Sequence, residues 1–272
     1  MKKFIAAIFI LVFIISLSIS ASAQPRGDVL FIYGYYEETS IGPGDLAVKA
    51  RFEKLGFTVT MVAGPDCTTE MGTGKALIYA GESITSTDVA DKYKDITVSA
   101  IMGEPGVFDD MLYGNFTQTD GSEGIFTVAA PDNEVVKAAG VTGDFDPFTE
   151  IASPGFLTEY TVDAQILVQD DLAQAAIGLY ETGAKMLNDF IAPARRATFY
   201  IRGQDAVSAT EDTWKLFDAV VNWSSPAPII VEPEISEAEN PKTSDVSVIF
   251  YALTALSSIS ILSATYIRSK RK

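Results

Sequence analysis

Hydrophobic and polar positions divide the chain into apolar ends around an α/β interior. Asp28 to Tyr33 is a nearly continuous apolar run closed by Gly34, the pattern of a strand buried on both faces. Asp45 is placed to cap a helix carrying Leu46, Val48, Ala50, Phe52 and Leu55, which should stop at Gly56. Phe57–Val62 then reads as a second strand and Ala76–Ala80 as a third. Ser86 is placed to cap a short helix through Val89, Ala90 and Tyr93, and Thr97–Met102 is a fourth strand. Strand and helix alternating at these intervals predict right-handed crossovers and a parallel sheet.

The second half is richer in strand patterns. Gly124–Ala129, Ala164–Val168, Ala175–Tyr180 and Ala197–Ile201 are strand candidates. Phe108–Tyr113 reads as a short helix with Asp109 and Asp110 in its first turn. Glu211–Val221 is a final amphipathic helix that turns Trp214, Leu216, Phe217 and Val220/Val221 inward, and Trp223 ends it.

The ends carry a different pattern. Lys2-Lys3 precedes an unbroken apolar run, Phe4–Ile15, and small residues follow up to Ala21-Ser22-Ala23. This is the form of a secretory signal over residues 1–23, cut between Ala23 and Gln24; an uncleaved anchor is the alternative. At the other end Val246–Ile267 has no charged residue and is followed by Arg268-Ser269-Lys270-Arg271-Lys272. At about 1.5 Å per residue, such a helix crosses a hydrocarbon core of roughly 30 Å. The basic end then stays inside and the domain outside. Between domain and span, residues 225–240 hold Pro226, Pro228, Pro233 and several Glu, an extended spacer.

Composition changes the picture in two ways. The chain of 272 residues carries a net charge of −16 with a mean hydropathy of +0.19, an odd pairing until the ends are set aside. Residues 24–240 alone hold 13 basic and 35 acidic residues, a net of −22. That charge argues against nucleic-acid binding and leaves room for calcium, which takes oxygen ligands. The chain also has no histidine and one cysteine, Cys67. These absences remove Ser-His-Asp and Cys-His nucleophile systems, His-bearing metal sites, disulfides and iron–sulfur clusters.

Two resemblances follow from these residues. The tail Asn240-Pro241-Lys242-Thr243-Ser244-Asp245, its apolar span and its basic end resemble the cell-wall sorting signal of Gram-positive surface proteins. The resemblance implies that a sortase cuts between Thr243 and Ser244 and joins Thr243 to peptidoglycan. Asn240 and Ser244 depart from the usual leucine and glycine, so a plain membrane anchor stays open. The interior resembles ThuA-like members of the class I glutamine-amidotransferase-like fold. The resemblance rests on the Val29–Gly34 strand, Gly56-Phe57-Thr58-Val59, the turn Tyr180–Ala184, Arg195–Tyr200 and Leu216–Trp223. It implies a flavodoxin-like α/β three-layer sandwich with a mostly parallel central sheet over about residues 24–224. Amidotransferases of this fold use a cysteine on a sharp strand-to-helix turn with histidine and glutamate. Cys67 lies instead in a turn-rich loop, so no catalytic residue is assigned and no such activity is expected.

In an open parallel sheet ligands bind at the carboxyl ends of the strands. Four segments fall there: Tyr33–Glu38 leading into Gly42–Asp45, Gly81–Ser86, Gly103–Gly106 with Asp109-Asp110, and Arg202–Asp205. The candidate crevice residues are therefore Tyr35, Tyr36, Glu82, Glu104, Asp109, Asp110 and Asp205. Glu104, held between a strand and Pro105, has three readings. It faces water while Asp109 and Asp110 favour a helix start; it joins them in a calcium or ligand site; or it pairs with a second carboxylate for acid–base work on a sugar. Tyr33, Tyr35 and Tyr36 beside acids suit sugar rings, and equally suit core or rim. The expectation is a secreted, surface-anchored binding domain for a carbohydrate or wall polymer, without a required cofactor. A carboxylate-based glycan-processing enzyme and a purely structural surface protein are the alternatives.

Overall fold

The computed structural model describes residues 25–35, 40–119 and 124–226. The signal-like segment 1–23, the cleavage pair Ala23 and Gln24, the linker from residue 227 onward, Thr243, Ser244 and the span 246–267 all lie outside these residues. Among the described residues no helix is long and apolar enough to cross a membrane.

Strand β1 (Asp28–Tyr33) lies between β2 (Thr58–Ala63) and β3 (Leu77–Ala80), parallel to both, with Phe31 opposite Met61 and Tyr79. β4 (Ala100–Met102) continues the parallel set beside β3. From there the chain runs through β5 (Asn115–Gln118), β6 (Phe126–Val128), β7 (Asp144–Phe145), β8 (Gly155–Thr158), β9 (Gln165–Gln169) and β10 (Ala175–Tyr180). It returns in β11 (Arg196–Thr198), parallel to β4. The main order is β2-β1-β3-β4-β11-β10-β9-β6-β7, with β8 pairing β10 and β5. The first five form a doubly wound parallel sheet that reverses direction between β1 and β3.

The expectation of a mostly parallel sheet is corrected here. Every pairing outside β2-β1-β3-β4-β11 is antiparallel. The cause is loop length: only Asp170–Gln174 separate β9 from β10, and a parallel return needs a crossover of roughly a dozen residues or more.

Helix α1 (Pro43–Lys54) has Gly42 as its N-cap and Pro43 at its first position, where the missing N–H costs nothing. Asp45 is thus not the cap; it is a buried residue of the first turn. A short α2 (Ser86–Val89) follows β3, α3 (Glu134–Ala139) follows β6, and α4 (Glu211–Ser224) closes the fold. Thr85, not Ser86, occupies the N-cap position of α2, and its side chain makes no capping hydrogen bond. The Thr210 hydroxyl caps α4 by accepting from the Thr213 N–H, and α4 runs past Val221 to include Trp223. The helix expected at Phe108–Tyr113 does not form: a 3-10 turn, Pro105–Val107, is followed by turns in which Leu112 has φ +61°.

Alternation along the strands sends alternate residues to two cores. Val29, Phe31, Leu77, Tyr79 and Ile101 meet α1, α3 and α4 on one face. Phe52 of α1 stands edge-on to Phe217 of α4, ring centres 5.3 Å apart. On the other face Leu30, Ile32, Ile78 and Met102 pack under α2 and the 105–113 turns, with Val107, Met111 and Tyr113. The layering is three-deep, but one outer layer is mostly turns. Each large apolar side chain so buried contributes about 1.5–3 kcal/mol.

Candidate functional site

The carboxyl ends of β1, β3, β4 and β11 surround a cleft of about 530 Å³. Each strand delivers its residues directly: Tyr35 after β1, Glu82 and Ser83 after β3, Glu104 after β4, and Arg202 and Gly203 after β11. Gly42, from the N-terminus of α1, closes one side.

Close backbone approach builds the floor. A Cβ on Gly34 would lie 1.7 Å from the Ser83 carbonyl oxygen, and one on Gly44 would lie 1.5 Å from that of Gly203. Only glycine lets these turns touch. The contact places Ser83 where its Oγ accepts from the Gly34 N–H at 2.8 Å and donates to Asp45 Oδ2 at 2.6 Å. Asp45 itself is 3% exposed.

The walls are charged. Arg202 forms an ion pair with Glu82 through Nη2 and donates through Nη1 to the Ser153 carbonyl at 3.0 Å. Glu104 caps the 3-10 turn: its Oε1 accepts from the Gly106 N–H at 2.9 Å. Asp205 accepts from the Ser153 N–H at 2.9 Å, bracing the same segment that Arg202 grips.

Burial governs how these acids titrate. Desolvation pushes Glu104 up to about 7, helped by the charge of Glu82 and opposed by the Gly106 N–H and Arg202. Asp45 rises to about 6, again chiefly by desolvation, with the Ser83 hydrogen bond pulling the other way. Glu82 and Asp205 are also raised by burial, and Arg202 opposes both shifts.

The sign for Asp45 follows from linkage. Below pH about 4 both folded and unfolded states hold its proton. As pH rises the unfolded state ionises first, so stability falls until pH passes about 6 and is level above that. A rise of about two pKa units corresponds to roughly 2–3 kcal/mol. Asp45→Asn, whose amide oxygen can still accept from Ser83, is expected to be more stable than wild type at pH 8 by about that amount and nearly equal at pH 4. Urea unfolding at the two pH values checks this; the same pH slope in both proteins would refute it.

Of the residues singled out from sequence, Tyr35, Glu82 and Glu104 line the cleft. Asp205 does not line it and instead holds the Ser153 N–H, next to the carbonyl that Arg202 grips. Asp109 and Asp110 are exposed in the turn after Val107 and do not line the cleft; Asp109 Oδ1 accepts from the Asp110 N–H. Among the described residues no three acids, cysteines or histidines gather closely enough to hold a metal, so the calcium grouping of Glu104 with Asp109 and Asp110 is not assembled. Tyr36 lies outside the described residues. Tyr35 is 44% exposed, its ring edge-on to Tyr33 with centres 6.1 Å apart.

Asp45, Ser83 and Arg202 lie in the segments expected at the strand ends but were not among the individual candidates, and Asp45 was read as a helix cap. The available signal was Arg202 itself, a basic residue directly after an apolar strand in an acidic domain. Cys67 is buried in the core under α2, its Sγ 3.6 Å from Lys92 Nζ. The cationic neighbour was not visible in the sequence, but burial keeps the thiol out of the cleft.

No protein-family model matches this chain, and no curated protein matches it. Among solved structures it is similar to "a putative gmp synthase subunit a protein" from Thermoplasma acidophilum, with a TM-score of 0.50 and 8% identity over 72% of this chain and 93% of that one. The fold is flavodoxin-like. A "putative thua-like protein" from Parabacteroides merdae also aligns, with a TM-score of 0.45 and 10% identity, over 74% of this chain and 90% of that one. At 8% identity the likeness to the first of these is one of fold alone, and the function has to come from the cleft.

Proposed function

We propose that this chain is a surface-displayed relative of the ThuA-like and class I amidotransferase-like domains that has no catalytic thiol and binds carbohydrate in the cleft. The cleft carries the reading. A half-exposed tyrosine ring stands beside closely spaced hydroxyl, carboxylate and guanidinium groups, at the point where the strand order reverses. Sugar rings offer an apolar face for Tyr35 and hydroxyls that both donate and accept, matching Ser83, Ser86, Glu82 and Arg202. The volume, about 530 Å³, is that of a small-ligand site.

The signal-like start and the sorting-like tail support display outside the cell. There Thr243 and Ser244 would be the sortase cleavage pair, peptidoglycan the attachment point, and the span 246–267 the membrane stop.

The test is titration calorimetry of the full chain against cellotriose, the N-acetylglucosamine trimer and the glucosamine trimer. Binding of at least one is expected, with Tyr35→Ala weakening it about tenfold, or about 1.4 kcal/mol. Flat isotherms for all three would defeat the reading. A second reading, glycan processing, is favoured by Glu104 titrating near neutrality beside Glu82. Product formation in the same samples, followed by mass spectrometry, separates it from simple binding.

A further inference from the structure

The charges around the cleft do not balance, and their arrangement says which saccharides fit. Three charged side chains line it: Glu82, Glu104 and Arg202. Arg202 is already committed, with Nη2 on Glu82 and Nη1 on the Ser153 carbonyl, while its Nε is enclosed without a partner. Glu104 is held in place differently. One of its oxygens takes the Gly106 N–H, and Oε1 sits 2.7 Å from where a Cβ on residue 106 would stand, so glycine is needed for this carboxylate to occupy its position. Among the described residues no cation forms an ion pair with Glu104.

A carboxylate built into a cleft wall in this way, held by one backbone hydrogen bond and near an arginine already paired with Glu82, is complementary to a ligand that brings a cation of its own. We propose that the cleft selects saccharides bearing a free amino group, with Glu104 receiving the ammonium while Tyr35 packs against the ring. The inference rests on the carbohydrate reading above and narrows it.

The energetics discriminate among ligand classes. A sugar ammonium replaces the water lost by Glu104 on burial and forms a charge-assisted hydrogen bond in a partly desolvated site. An N-acetylated sugar sets a neutral amide against the same carboxylate, and a neutral sugar sets a hydroxyl there; both forgo the charge term. Uronates and phosphorylated sugars meet Glu82 and Glu104 in a domain of net charge −22, so like-charge repulsion disfavours them. The raised titration of Glu104 is consistent with a carboxylate awaiting a partner.

The experiment compares the glucosamine trimer with the N-acetylglucosamine trimer on the full chain at pH 7, in wild type and Glu104→Gln. Wild type is expected to bind the amine-bearing trimer at least tenfold more tightly. Glu104→Gln should reduce that preference to less than threefold, through weaker binding of the amine-bearing trimer. Equal affinities in wild type would overturn the inference and leave the carbohydrate reading intact. A preference that survives Glu104→Gln would overturn the role of Glu104. No binding of either trimer or of cellotriose would defeat the carbohydrate reading itself. The wild-type comparison decides the selectivity even where the variant does not fold.

Discussion

Arg196→Ala is expected to lower stability by about 3–5 kcal/mol, and Arg196→Lys to restore less than half of that. Arg196 is fully buried on β11, the strand where the parallel half of the sheet meets the antiparallel half. Among the described residues no carboxylate forms an ion pair with it. Its Nη1 donates to the carbonyls of Val98 at 2.9 Å and Arg195 at 3.1 Å, and its Nη2 to those of Lys94 at 3.1 Å and Ile96 at 2.6 Å. The guanidinium therefore stands in for the neighbouring strand that residues 94–98 lack. Alanine strands the carbonyls of Lys94, Ile96 and Val98, while that of Arg195 keeps the Ala100 N–H, and it opens a cavity beneath β4. Lysine brings a compact ammonium that cannot span the same fork of acceptors. Because β4 carries Glu104 at its end, the damage should reach the cleft as well as the core. Urea unfolding measures it; a loss under 1 kcal/mol for Arg196→Ala would show that the carbonyls find water instead.

The same residue shows where sequence reading stops. β1, β3 and β10 were legible because each is an apolar run bounded by turn residues, and the half-exposed β2 because β-branched residues resume right after the helix stop at Gly56. Thr97–Met102 looked like one such run, yet only Ala100–Met102 is strand, since the carbonyls before it turn inward to Arg196. Arg196 appeared in the sequence only as half of an Arg-Arg pair, and nothing local marks it as buried. β5, with three of its four residues exposed, and the two-residue β7 carry no periodic signal; their pairing with β8 and β6 is purely tertiary. The cleft divides similarly. Its four contributing turns followed from the rule that usable residues sit at strand carboxyl ends. The Glu82–Arg202 pair and the burial of Asp45 did not, because both depend on segments far apart in sequence pressing together. Asp45 had the form of a helix cap and is instead a buried acid, packed between Gly81 and Ser83 where Gly44 lies under the Gly203 carbonyl.

That contact makes Gly44→Ala the second large-effect substitution, with an expected loss of about 3 kcal/mol and no measurable saccharide binding. The added Cβ would stand 1.5 Å from the Gly203 oxygen and 2.5 Å from its carbonyl carbon. Both are backbone atoms, so no rotamer change relieves the clash; α1 and the 203–207 turn must separate. Arg202 would then leave Glu82, and Asp45 would leave Ser83, dismantling two walls of the cleft in one step. Gly140→Ala is the control. Gly140 ends α3 at φ +69° with nothing within 4 Å of an added Cβ, so only backbone strain is at issue, and a cost near 1 kcal/mol with binding intact is expected. Paired denaturation and calorimetry on the two variants check this. If Gly44→Ala costs no more than Gly140→Ala and still binds, the approach of α1 to the 203–207 turn is not what assembles the site.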